Sequence, residues 1–234
     1  MASRTVRRLA LGLAVSLALS SAASAAPGDD KILPAAKYTT EKARRLASTH
    51  AKALSDLGAL IYHCIPWVDV QRESIGFFRP LYIQQDERYL SIRIFVEQDP
   101  SPQFQALKTT ERASAMFSRY AGPMLKRMAA SAALVADPNL DGFTVIVGWQ
   151  KQGVKGPEGN PIHETIAVFM AKGVAGDYLA ARIAINELAH RSKVFGFDGT
   201  TALGELKVAG WPDSFVSTYK VANYKIDPSV NCPP

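Results

Sequence analysis

Between Arg88 and Trp149 the pattern of apolar and polar positions changes period twice. Leu90, Ile92, Ile94 and Val96 alternate with Tyr89, Ser91, Arg93 and Glu97, the period of a strand with one buried face. Phe95 breaks the alternation. Asp99 to Pro102 then punctuates the chain, and Ser101 can cap a helix that opens on Pro102, where a missing N–H costs nothing. From there Ala113, Phe117, Tyr120, Met124, Met128, Ala132 and Val135 recur at steps of three and four, an apolar stripe along a helix. Gly122 and Pro123 interrupt it; because the stripe resumes in phase, the spacing predicts a kink rather than two separate helices. Asp137 to Gly142 stops the helix, and Phe143, Val145, Val147 and Trp149 form a second alternating strand.

The same reading places the other elements. Thr39 or Thr40 caps a helix whose stripe runs Ala43, Leu46, His50, Ala53, Leu57, Leu60, Cys64. Leu81 to Ile83 and the strand from Tyr89 read as a hairpin over Gln84 to Glu87. Lys151 to Pro161, with its glycines and prolines, joins the strand ending at Trp149 to another over Ile162 to Ala171. Asp177 to Ser192 reads as a helix or two short pieces with Tyr178, Ala181, Ile185 and Leu188 on one side. Val194 to Phe197, Asp198-Gly199 and Leu203 to Val208 form a hairpin signal. A short helix is expected around Phe215 to Tyr219, followed by an irregular tail. The elements predict an α+β fold: a two-layer sandwich with a largely antiparallel sheet of five or six strands and long helices packed on one face.

At 234 residues the chain has room for one substantial domain. Its first 25 residues stand apart. Arg4, Arg7 and Arg8 precede an apolar run from Leu9 to Leu19 and the small residues Ala23, Ser24 and Ala25, the three regions of a secretory signal peptide. The expected organisation is a signal peptide over 1–25, a mobile leader over 26–38 and a single domain over 39–234. Removal of those three arginines takes the 27 basic residues to 24 against 21 acidic, so the net charge of +6 becomes +3. No basic stripe interleaved with aromatics is evident, which sets nucleic acid aside as a partner. No stretch after the leader is long and apolar enough to span a membrane, so no transmembrane segment is expected once the signal is removed. The expected location is periplasmic or secreted.

Candidate chemistry is sparse. A phosphate loop, a G-x-S-x-G elbow, H-E-x-x-H, paired C-x-x-C and a compact acid cluster are all missing, and no cofactor or metal is expected. Asp137, Asn139, Asp141 and Gly142 open like a calcium loop, but position 148, where the closing acid belongs, is glycine. His50 and Cys64 share a helix stripe at a separation of about 21 Å, too far to hold one ion. Cys64 and Cys232, the two cysteines, can pair in an oxidising compartment and tie the tail to the first helix.

Ile65 to Pro80 mixes Trp67, Phe77 and Phe78 with Asp69, Arg72, Glu73 and Arg79. Its aromatics suit a plug for the core. Two arginines and a glutamate suit contact with a ligand or partner, so Trp67, Arg72, Glu73 and Arg79 are the candidate binding residues. An exported, motif-poor chain fits a non-enzymatic binding or assembly module of the envelope, acting on an unknown protein or small molecule. The alternative is a periplasmic hydrolase assembled from distant loops: His163 or His190 near a carboxylate and a hydroxyl would favour the enzyme, and a wide apolar groove would favour binding. A third reading is a subunit that pairs through an exposed sheet edge.

Overall fold

In the computed structural model, which describes residues 29–96, 102–156, 158–210, 229 and 231–232, a pair of helices opens the domain. Thr40 caps the first, α1 (Glu41–Thr49), its Oγ1 accepting from the Ala43 N–H. The second, α2 (Ala51–Cys64), follows after a break at His50, whose backbone leaves helical geometry at ψ +19°. The single stripe expected here is therefore shared by two helices, and it stays in phase: Ala43, Leu46, His50, Leu57 and Cys64 are all buried. Of the stretch expected to be a mobile leader, residues 29–38 lie against the domain, with Ile32 bridged to Ile75 and the Tyr38 hydroxyl accepting from the Phe77 N–H at 3.0 Å.

Two short strands come next, β1 (Val68–Val70) and β2 (Gly76–Phe78), and both pair antiparallel with the long β3 (Tyr89–Val96). Val70 lies opposite Ile94 and Gly76 opposite Ser91, so residues 71–75 bulge away from the edge between them. Ser74 bridges the gap, its Oγ accepting from the Arg93 N–H and donating to the Arg93 carbonyl, each at 3.2 Å. The expected hairpin partner of β3, Leu81 to Ile83, is instead a turn; Phe78 holds that place opposite Tyr89. Phe77 points into the core and Phe78 to the other side, so the aromatic pair divides between the sheet's two faces.

A crossover of short helices joins β3 to its parallel neighbour, as parallel pairing requires. It comprises α3 (Pro102–Gln105), α4 (Thr109–Met116), a π-helical turn over Phe117–Ala121, α5 (Gly122–Met128) and α6 (Ala132–Ala136). The expected kink is this widened turn. Pro123 cannot donate to a carbonyl one turn back, and the π turn before it absorbs the misfit while Phe117, Tyr120, Met124, Leu125 and Met128 stay buried.

The sheet continues through β4 (Gly142–Lys155) and β5 (Pro161–Ala171), then α7 (Lys172–Leu179) and α8 (Ile185–Arg191), and closes with β6 (Lys193–Asp198) and β7 (Thr201–Glu205). Ala181, expected on the stripe of one helix, sits in the turn between α7 and α8 at φ +54°. The final hairpin turns one residue later than expected: Asp198 pairs with Thr201, and Gly199 at φ +59° takes the first of the two loop positions. The expected signal peptide over 1–25 and the expected helix at Phe215 to Tyr219 lie outside the described residues.

The seven strands occupy six positions across the sheet, in the order β1-β3-β4-β5-β6-β7 with β2 sharing β1's edge, and every pair except β3–β4 is antiparallel. The fold is the expected α+β sandwich. One sheet face presents Leu90, Ile92, Ile94, Phe143, Val145, Val147, Ile166, Val168 and Val194 to the helices, forming the core. Cys64 is bonded to Cys232, with Cα atoms 5.5 Å apart, so the tail is fixed to the end of α2.

Candidate functional site

The alternation that sends every second side chain into the core sends the others to the opposite face, where, among the described residues, no helix residue lines the groove. Strand register arranges these side chains in rows across the sheet. The central row runs Arg93, Ile146, Ala167, Phe195. On one side of it lie Ser91, Thr144, Phe169 and Lys193; on the other, Phe95, Gly148, Thr165 and Phe197. Over this floor passes the segment that follows β2, forming a groove of about 740 Å³ whose walls include Arg72, Glu73, Phe78, Arg79, Leu81 and Tyr82.

The wall is held by aromatic contacts. The Tyr82 ring meets Phe169 edge-on, with centroids 5.2 Å apart, and Phe195 at 5.6 Å, while Lys193 Nζ lies 4.9 Å from the Tyr82 centroid. Burial raises the pKa of both Tyr82 and Tyr89, so these phenols stay neutral at ordinary pH. Leu81 beside them is almost wholly exposed, at 98%.

At the β3 side the groove changes character. Phe95 lies flat on Gly148, where a Cβ would come within 2.8 Å of the ring, so this position has room only for hydrogen. The guanidinium of Arg93 rests over the same ring, 5.4 Å from its centroid, and His163 meets its edge. Arg93 Nε is buried and has no hydrogen-bond partner among the described residues. Among the described residues the groove has one acidic lining residue, Glu73, held by Lys37 at 2.7 Å.

Of the four residues singled out by the sequence, Arg72, Glu73 and Arg79 line the groove. Trp67 does not; it packs partly buried against the core. The reading missed the floor. Arg93 fell on the wetter side of an alternating strand and Phe169, Phe195 and Phe197 were assigned to no face, and only the groove over them distinguishes them from a solvated surface.

Beneath the other end of the sheet a second, small cavity of about 100 Å³ adjoins Glu164, Arg112 and Trp149. Glu164 is buried among donors: Arg112 Nε at 2.7 Å and Nη2 beside it, and Trp149 Nε1 at 2.9 Å. Arg112 also donates to the Leu107 carbonyl and to Thr109. With its donors so occupied, this ion pair pins the crossover helices to β5 and leaves little for a ligand.

The calcium-like run is likewise engaged. Asp137 accepts from the Asn139 N–H at 2.8 Å and meets His50 Nε2 at 2.9 Å; Asn139 Oδ1 accepts from Arg45, and Asp141 from Lys42 and the Arg88 N–H. Among the described residues no group of three or more His, Cys, Asp or Glu side chains is placed to hold a metal. No model of a known protein family matches the chain, and no curated protein or solved structure matches it.

Proposed function

We propose that the protein is a non-enzymatic binding module of the cell envelope whose ligand lies in the groove on the open sheet face. One observation carries this reading: the sheet face lined by Phe78, Tyr82, Ile146, Phe169, Phe195 and Phe197 has no helix over it among the described residues, yet a wall segment encloses it as a groove. Soluble proteins rarely leave so much contiguous apolar surface without a use for it, and ligand pockets are typically apolar concavities of roughly 300–1,000 Å³ with a few placed polar groups. The leader sequence and the Cys64–Cys232 bond support an oxidising, exported setting. No helix among the described residues is long and apolar enough to cross a membrane.

The hydrolase alternative draws less support. His163 stacks edge-on to Phe95, and neither it nor His190 meets a carboxylate among the described residues. The histidine that does, His50, sits at the α1–α2 break on the helical side.

Ala167 lies at the centre of the floor, so Ala167→Trp should fill the groove from within. The wild-type protein is expected to bind the neutral dye Nile red saturably, with a blue shift and a rise in emission. The variant should bind it roughly tenfold more weakly, a loss of about 1.4 kcal/mol, with an unaltered circular dichroism spectrum. No saturable binding by the wild type, or equal binding by a folded variant, would defeat the reading.

A further inference from the structure

Resting on the groove reading, we infer that the ligand is an amphipathic monoanion, an acyl carboxylate, whose charged head sits at Arg93 and whose chain runs across the floor toward Phe195. The register sets this polarity. From β3 to β6 the central row passes from a cation through Ile146 and Ala167 to an aromatic. Three strand spacings of roughly 4.8 Å separate its ends, about 14 Å in all, which suits an extended medium-length chain.

The charges agree with that direction. Arg72, Arg79 and Arg93 line the groove against Glu73 alone, and Lys37 neutralises that carboxylate. Arg79 donates to the Gln84 carbonyl, a neutral acceptor. Arg93 is the most committed of the three: the Phe95 ring supports its planar face, the backbone on either side of it is fixed by Ser74, and its buried Nε has no partner among the described residues. A buried N–H without an acceptor is costly, whereas a carboxylate accepts a guanidinium's parallel donors. A neutral lipid would leave that requirement unmet, and of the three arginines Arg93 alone belongs to the floor row, so a single carboxylate head matches it. The far end is more aromatic, with Phe169 and Phe195 packed on Tyr82, whose ring also takes up Lys193 Nζ at 4.9 Å.

The test is calorimetric titration of the full chain, exported with its own leader and purified oxidised, with decanoate, 1-decanol and acetate, together with displacement of Nile red. Decanoate is expected to bind with one-to-one stoichiometry and displace the dye; decanol should be at least roughly tenfold weaker and acetate should give no saturable heat. Arg93→Met should remove that advantage, bringing decanoate down to decanol while leaving decanol and the dye unchanged. Arg93→Lys, which keeps the charge but loses the fork, should retain most of the preference and serves if the methionine variant does not fold. If the dye binds in the groove but decanoate does no better than decanol, or if Arg93→Met leaves the preference intact, the assignment of the anion falls and the groove reading stands. If neither dye nor decanoate binds, both fall.

Discussion

Arg112 and Arg93 show at the scale of single residues what a guanidinium away from bulk water requires. Arg112 has a buried carboxylate, a carbonyl and a hydroxyl as acceptors; Arg93 has an aromatic ring and an Nε with no acceptor among the described residues. The first arrangement is complete and structural, the second is open. Asp137 is a third case, with consequences for acid stability. The Asn139 N–H first, and then His50, hold its carboxyl down at about 2, below the ordinary 3.8. A depressed carboxylate pKa contributes stability that is fully present above the unfolded value and is lost as pH falls through the folded one. The protein should therefore lose stability between about pH 4 and pH 2, and Asp137→Asn should flatten that part of the profile. Urea midpoints across this window read the difference; parallel slopes in both proteins would remove Asp137 from the account. None of these pairings was legible in the sequence. His50 and Asp137 lie 87 positions apart, Arg112 and Glu164 lie 52 apart, and each residue taken alone has an ordinary context.

At the scale of elements, strands with clean alternation and helices with a long stripe were read well, while breaks within stripes were not. The α1–α2 break at His50 carries no proline or glycine; there His50 reaches Asp137, and the two helices take different neighbours, α1 packing on β2 and α2 on α5. The short strands β1 and β2 were missed because neither is long enough to show a period, and both exist by pairing with β3. The cysteine pairing, in contrast, followed from there being two cysteines, and it ties Cys232 to the end of α2. The closed loop spans 168 positions, for which the chain-entropy estimate is about 5 kcal/mol, an upper figure. Reduction, or Cys232→Ser, should lower the urea midpoint measurably, and the denatured, unreduced protein should show no titratable thiol. Two free thiols there, or an unchanged midpoint on reduction, would remove the bond from the stability of the fold.

For the whole molecule, the decisive feature is that one sheet face builds the core while the other is left to a wall segment and a row of side chains. Because the core lies on the opposite face, changes at the groove rim should separate binding from stability. Arg72 and Arg79 are both exposed, and no ion pair involves either among the described residues. The double substitution Arg72→Ala with Arg79→Ala should weaken decanoate binding severalfold, more at low salt than at high, and leave the melting temperature nearly unchanged. A large fall in melting temperature would make these arginines structural, and unchanged binding at low salt would remove them from the site.

The sequence by itself determined the layer architecture, since the period of two in β3 to β5 and the three-four stripes in the helices are each consequences of burying one side of an element. It also specified the cysteine partners and the acid- and arginine-bearing segment that became the groove wall. Tertiary structure alone decided that the second sheet face has no helix over it among the described residues, because alternation reports which side of a strand is drier and carries no information about what covers the other. It likewise decided that Arg93, Ile146, Ala167 and Phe195, drawn from four strands, stand in one row: register depends on how strands pair across the sheet, and no local pattern in the chain records it.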